Sequence, residues 1–176
     1  MPDDRLDPVT IRDATEDDLD AILGLSNVLI PIDTTTWTER PETIEQRRAW
    51  FTHKRETDLP VLVADLDGGV IGFCTYGEFR DNARLEGYRF TGELTIHVDP
   101  ERHGAGIGGL LLDTLIERAR AAGLHTLVAA VDGANEGSIR FHEHLGFVET
   151  ARMPQIGFKF GRWLDLVMLQ RVVDEP

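Results

Sequence analysis

Cysteine occurs once, at Cys74, which excludes an intrachain disulfide framework and any metal centre built on several thiolates. Lysine occurs only at Lys54 and Lys159, so nearly all the positive charge is arginine. The formal net charge of -13 leaves little of the basic surface that non-specific nucleic-acid or membrane binding requires. No apolar run reaches the roughly 18 residues of a membrane span, and Met1 to Asp7 is polar and acidic rather than a signal segment. These absences predict a cytoplasmic protein with no metal and no nucleic-acid or membrane partner. What is present is ordinary for a globular chain: 176 residues, 41% hydrophobic and 28% charged. No repeat, low-complexity tract or linker divides it, so a single domain over 1–176 is predicted.

Val9 to Arg12 reads as a first strand, and Thr15 as the N-cap of an amphipathic helix carrying Leu19, Ile22, Leu23 and Leu25. Pro31 ends that helix. After an ordered loop to Pro41, Thr43 caps a second helix containing Ile44, Arg47, Trp50 and Phe51. Val61–Ala64 and Val70–Tyr76 read as strands joined by a hairpin turn at Asp67-Gly68-Gly69. Leu124 to Val131 is nearly all apolar, which predicts a central, parallel strand. A short helix through Ser138, Ile139, Phe141 and His142 stops at Gly146, and Phe147-Val148 and Trp163–Leu169 open and close a last hairpin. The class is mixed α/β (α+β), with antiparallel strands, one parallel βαβ crossover and flanking helices.

The chain is organised around Glu93 to Leu112. Leu94, Ile96 and Val98 alternate with Thr95 and His97, the period-2 pattern of a half-buried strand. Asp99-Pro100 stops it. Gly104, Gly106, Gly108 and Gly109 then open a helix whose apolar positions are Ile107, Leu110, Leu111, Leu115 and Ile116. Strand, glycine turn and helix start converge backbone N–H groups on an anion, so a phosphate-bearing ligand is predicted there. Gly104-Ala105-Gly106-Ile107-Gly108-Gly109 also matches the dinucleotide fingerprint GxGxxG. However, Asp99 to His103 separates its first glycine from the strand, and three strands precede it.

Two spaced motifs fit another pattern. Val98, Pro100, His103, Gly106 and Gly108 fall on Val-x-Pro-x-x-(Arg/Gln)-x-x-Gly-x-(Gly/Ala). Asn135, Ser138, His142, Gly146 and Phe147 fall on Asn-x-x-(Ala/Ser)-x-x-x-(Tyr/His)-x-x-x-Gly-Phe. On these the chain resembles, over nearly its full length, the GNAT superfamily of acyl-CoA-dependent N-acetyltransferases. The runs Gly77-Glu78-Phe79-Arg80, Arg89-Phe90-Thr91-Gly92-Glu93 and Met153-Pro154-Gln155-Ile156-Gly157-Phe158-Lys159-Phe160-Gly161-Arg162-Trp163-Leu164-Asp165 make it similar to the phosphinothricin and methionine sulfoximine N-acetyltransferase subgroup. His103 departs from the arginine or glutamine of the first motif. Gly92 and Leu94 depart from the residues that usually flank Glu93.

The resemblance implies acetyl-CoA as co-substrate, acetylation of the α-amino group of a small amino acid or analogue, and a homodimer. It places the general base at Glu93. It sets His142 where many members carry a tyrosine that protonates the leaving thiolate. Ile96, His97 and Val98 are to face the thioester, with the Val98 N–H polarising its carbonyl. His103, Gly104, Ala105, Gly106, Ile107, Gly108 and Gly109 are to hold the pyrophosphate; Asn135 is to bond the pantetheine arm or brace the splayed strands, and Ser138 to reach the same arm or cap its helix. Arg80 is the choice for an acceptor carboxylate, because a guanidinium matches it in bidentate fashion. Phe79, Leu94 and Thr95 join Glu93 around the acceptor, with Thr36, Trp37, Lys159 and Phe160 as further lining. Other readings are transfer to another small amine or a protein N-terminus, and a catalytically silent acetyl-CoA-binding module.

Overall fold

A computed structural model describes residues 9–173. Seven strands form one sheet in the order β1-β2-β3-β4-β5-β7-β6: β1 Thr10–Asp13, β2 Val61–Leu66, β3 Gly69–Glu78, β4 Thr91–Val98, β5 Thr126–Asp132, β6 Val148–Lys159 and β7 Arg162–Val172. Four helices flank it: α1 Leu19–Val28, α2 Ile44–Glu56, α3 Ile107–Ala121 and α4 Glu136–His144. Every neighbouring pair is antiparallel except β4 and β5. The apolar run in β5 predicted a parallel strand. β5 is central, but it is parallel only to β4 and pairs antiparallel with β7 along its whole length. Burial on both faces explains the run without requiring parallel neighbours on both sides.

Alternation along the strands supplies two cores. Leu62, Ala64, Cys74, Tyr76 and Leu94 face α3, meeting Leu111, Leu112, Leu115 and Ile116. Val61, Val63 and Phe73 face the other way, onto Leu19, Ile22 and Phe51 of α1 and α2. Leu111, Leu112 and Leu115 are fully buried, each stabilising the α3 layer by roughly 1.5–3 kcal/mol. Asp67 and Gly68, with φ of 53° and 82°, make the β2–β3 turn left-handed at both central residues, as such tight hairpins require. Thr43 caps α2 as predicted, accepting from the Gln46 N–H. Thr15 is an N-cap as expected, but of a 3-10 turn, Glu16–Asp18, that precedes α1; the Asp18 carboxylate accepts the Thr15 N–H and the Nη1 and Nη2 groups of Arg12.

The sheet opens in its middle. β4 and β5 pair only from Thr91 to Glu93 against Thr126 to Val128, after which no pairing joins them. From Leu94 onward β4 stays with β3 alone.

Candidate active site

That opening exposes one edge of β4. The Asp99 N–H donates to the Ile71 carbonyl (2.9 Å), so the alternation of an antiparallel ladder turns the backbone groups of Val98 and Ile96 away from β3 and into the gap. The Val98 N–H, expected to polarise a carbonyl, therefore points where a ligand between the strands would lie. The side chains of Ile96 and Val98 pack against the α3 core.

The glycine turn closes one end of the gap. Gly104 and Gly106 have φ of 83° and 81°, backbone that other residues adopt only under strain, and a Cβ on either would meet open space. Gly108 is set by contact, since its Cβ would stand 3.1 Å from the Phe141 ring of α4. The first intrahelical bond runs from the Leu110 N–H to the Gly106 carbonyl (3.2 Å). The N–H groups of Gly106 to Gly109 thus form the open first turn of a fifteen-residue helix, where an anion is favoured. Two expected donors are engaged within the turn: the His103 N–H bonds Pro100 and the Ala105 N–H bonds Arg102. The exposed His103 ring lies 3.1 Å from the Val98 carbonyl, bracing the turn against the strand end. Open-space glycines, free helix-start donors and a splayed strand pair together fit a pyrophosphate with an extended arm.

Glu93 stands at the last paired position of β4, opposite Gly77 on one side and Val128 on the other. It is half-buried. Burial pushes its carboxyl above the usual carboxylate range, and the positive charge of Arg80 pulls partly back. Two hollows meet at this residue. One is a cleft of about 650 Å³ under α1 and α2, lined among others by Trp50, Lys54, Phe73, Thr75, Thr95 and His97. The other lies over β5, β7 and β6 and includes Phe79, Arg80, Tyr88, Met153 and Met168. Phe79 and Tyr88 meet edge to face at 5.7 Å, and the Arg80 guanidinium lies 5.3 Å and 5.9 Å from their ring centres.

His142 is buried, with Nδ1 2.8 Å from the Ser138 carbonyl, a bond that requires the proton on Nδ1. Nε2 is buried and has no hydrogen-bond partner among the described residues. Desolvation lowers the imidazole's pKa, which favours the neutral ring. Asn135 is the N-cap of α4, its Oδ1 accepting from the Ser138 N–H (3.0 Å). The structure thus brings the Asn135–His142 motif beside the glycine turn through Phe141 and Gly108.

Some expected acceptor residues lie elsewhere. Leu94 points to the opposite face of the sheet and is buried in the α3 core, because one step along a strand reverses the side chain. Lys159 is fully buried; its Nζ donates to the Asp33 and Thr36 carbonyls at 2.7 and 2.6 Å. Trp37 packs on Gly157, and Phe160 stands exposed on the β6–β7 turn. Thr36 and Thr95 do line the α1–α2 cleft.

Sequence reasoning passed over Tyr88 and Lys54. Tyr88 follows an irregular segment with no periodicity to assign it. Lys54 sits on a helix where spacing alone reads as a surface position.

The model of the acetyltransferase (GNAT) family matches residues 24–147, which span the gap, the glycine turn and the α4 motif. The chain belongs to the GNAT acetyltransferase family. It is 44% identical over 166 residues to the L-methionine sulfoximine/L-methionine sulfone acetyltransferase of Pseudomonas aeruginosa, covering 94% of this chain and 95% of that one. It is 35% identical to the phosphinothricin N-acetyltransferase of Alcaligenes faecalis, over 92% of this chain and 81% of the relative. Among solved structures, the acetyltransferase yncA from Salmonella typhimurium with its cofactor acetyl-CoA superposes with a TM-score of 0.90 at 39% identity, over 96% and 95% of the two chains. A ribosomal-protein-alanine N-acetyltransferase from Brucella melitensis gives 0.89 at 40% identity, over 93% and 99%. This GNAT chain therefore has relatives named for free amino acids and one named for a protein acceptor.

Proposed function

We propose that the chain transfers the acetyl group of acetyl-CoA to the α-amino group of a small amino acid of the methionine sulfoximine, methionine sulfone or phosphinothricin kind. The observation that carries this is Glu93, a half-buried carboxylate at the point where β4 and β5 part, with Arg80 close enough to influence its charge. Acetyl-CoA supplies the activated acetyl group as a thioester. The N–H groups of Gly104 and Gly106 to Gly109 hold its pyrophosphate, and the Val98 N–H polarises the carbonyl. Glu93 takes one proton from the acceptor ammonium, freeing the lone pair that attacks; the new C–N bond forms as the C–S bond breaks, and the nitrogen sheds its second proton as CoA leaves as the thiol. Arg80 holds the acceptor carboxylate.

His142 meets the reaction as a neutral ring with its lone pair on Nε2. Protonating the departing thiolate therefore requires first loading that nitrogen against the cost of burial. A tenfold or larger fall in kcat for His142→Gln supports the acid role, and an unchanged kcat removes it.

Ile156, Phe158 and Trp163 stand 54%, 55% and 61% exposed on the β6–β7 edge hairpin, an apolar surface suited to a second copy of the chain. A homodimer drawing on acetyl-CoA in the cytoplasm completes this reading.

The test is thiol release from acetyl-CoA with methionine sulfone, methionine sulfoximine, phosphinothricin, unmodified amino acids, polyamines and a peptide starting with alanine. Turnover confined to free amino acids and their analogues supports the reading. Turnover of the peptide alone overturns it in favour of a protein acceptor.

A further inference from the structure

Lys54 is a buried cation of the cleft that this chemistry leaves without a task. Its side chain rises from α2 into the cleft beside Glu93 and is only 6% exposed. Nζ donates to the Tyr76 carbonyl at 2.5 Å and lies 3.3 Å from where a Cβ on Gly77 would stand. Gly77 is the residue paired with Glu93 across β3 and β4.

An ammonium has three N–H groups, and a carbonyl satisfies one of them. Among the described residues Lys54 forms no ion pair, whereas Arg47, the other buried cation of the cleft, is paired with Glu42. An ammonium taken out of water without an anionic partner costs several kcal/mol, which an oxygen-bearing ligand in the cleft offsets. The desolvation is strong enough to pull the Lys54 pKa down to about 8.

The rest of the cleft has matching character. Trp50 lies 5.7 Å from Lys54 Nζ, and Phe73 stacks on His97 at 5.2 Å, so aromatic surface adjoins the cation. His97 Nδ1 is buried and has no hydrogen-bond partner among the described residues, and burial holds that ring neutral, with its pKa lowered to about 4. A cation beside aromatic walls suits a head group that carries an oxygen and a methyl on one atom.

Building on the amino-acid reading above, we propose that Lys54 binds the oxygen of a tetrahedral sulfur or phosphorus oxide at the end of the acceptor's side chain. The acceptor straddles Glu93, which lines both hollows. Its ammonium meets Glu93, its carboxylate goes to Arg80 over β5, and its side chain runs under α2 to Lys54. Lys54 is a specificity residue in this arrangement. It would favour an oxidised side chain over a thioether of the same length.

Two experiments test it. The first compares KM for methionine sulfone, phosphinothricin, glutamate and methionine in the unaltered enzyme and in Lys54→Met. A charge-assisted hydrogen bond lost on one acceptor and absent on the other predicts about a tenfold or larger collapse of the sulfone-to-methionine preference. The same factor lost on both acceptors shows that Lys54 supports the cleft without reading the head group, and overturns the proposal. A preference for glutamate over sulfone and phosphinothricin overturns the tetrahedral assignment.

The second needs no substitution. The chain has two lysines, so ε-13C-lysine labelling gives two side-chain signals, with Lys159 as the internal control. Methionine sulfone is expected to shift the Lys54 signal and methionine to leave it nearly in place; equal responses, or none to the sulfone, refute the contact. If the unaltered enzyme acetylates no amino acid at all, the proposed function fails rather than the role of Lys54.

Discussion

Lys159→Met removes an ammonium that is fully buried and bound to the Asp33 and Thr36 carbonyls at 2.7 and 2.6 Å. Hydrogen bonds to a charged group contribute about 1.5–3 kcal/mol each, so two set a gross loss of about 3–6 kcal/mol. Methionine has similar length and no charge to desolvate, and the two carbonyls belong to a loop that can turn to water. Both effects bring the net cost toward the lower bound, about 3 kcal/mol. For a chain of this size that corresponds to a fall in Tm of about 6–12 °C.

The functional effect follows from what the loop carries. Between α1 and α2 the chain is tied to the closing hairpin by Lys159, by Trp37 against Gly157 and by the Glu39 carboxylate accepting the Phe160 N–H at 3.0 Å, and to the end of β5 by the Thr34–Asp132 hydrogen bond. The same loop sends Thr36, Thr38 and Arg40 into the cleft beside Glu93. Releasing one tie is expected to raise KM for the acceptor about tenfold and leave KM for acetyl-CoA within twofold, because the glycine turn lies on the other helix layer. Thermal denaturation followed by circular dichroism, together with steady-state kinetics in both substrates, provides the check. A Tm within 2 °C of the parent, or equal losses in both KM values, refutes the assignment of Lys159 as the loop's anchor.

Glu93→Gln is expected to lower kcat at least a hundredfold while leaving acetyl-CoA affinity, measured by calorimetry, within a factor of three. In the parent enzyme kcat/KM should rise with pH as Glu93 loses its proton. Because burial raises that pKa, the rising limb lies above the ordinary carboxylate range; a limb that persists in Glu93→Gln shows that another group is responsible. Arg80→Ala should raise KM at least tenfold for acceptors bearing a free carboxylate and much less for the corresponding decarboxylated amines. Equal losses exclude a carboxylate contact. Gly106→Ala places a side chain at φ 81°, costing about 1–2 kcal/mol in the turn, and should weaken acetyl-CoA binding more than acceptor binding.

Much of this site is legible in the sequence because its parts are local. Gly104, Gly106 and the Ile107 helix start announce themselves by composition, and the ladder alternation from Leu94 to Val98 announces the strand that delivers Glu93. What sequence could not supply is facing. Leu94 is adjacent to Glu93 in the chain, yet the pleat sends it into the α3 core. Lys159 and Phe160 are adjacent as well, but one is fully buried and the other stands on a turn. Gly92 is a departure from the subgroup pattern that packing accounts for: a Cβ there would lie 2.8 Å from Leu124 and 3.2 Å from Tyr76. The loop between α1 and α2 has no periodicity, so its attachment to a hairpin more than a hundred residues away was invisible until the fold joined them.

In the proposed reading, the parting of β4 from β5 is what lets one strand serve two substrates. β4 leaves β5 immediately after Glu93, so from Leu94 to Val98 its gap-facing backbone is free for the acyl donor, while Glu93, Thr95 and His97 present side chains to the α1–α2 face. Donor and acceptor can therefore approach the same carboxylate from different sides without sharing a pocket. Changes to the cleft at Lys54, Trp50 or the α1–α2 loop can then alter which amine is taken while the glycine turn and the α4 cap keep the donor fixed. This separation predicts that substitutions in the cleft move acceptor KM and those in the turn move acetyl-CoA KM, while Glu93 moves kcat for every acceptor. A cleft variant that weakened acetyl-CoA binding as strongly as acceptor binding would show that the two approaches are coupled through the sheet.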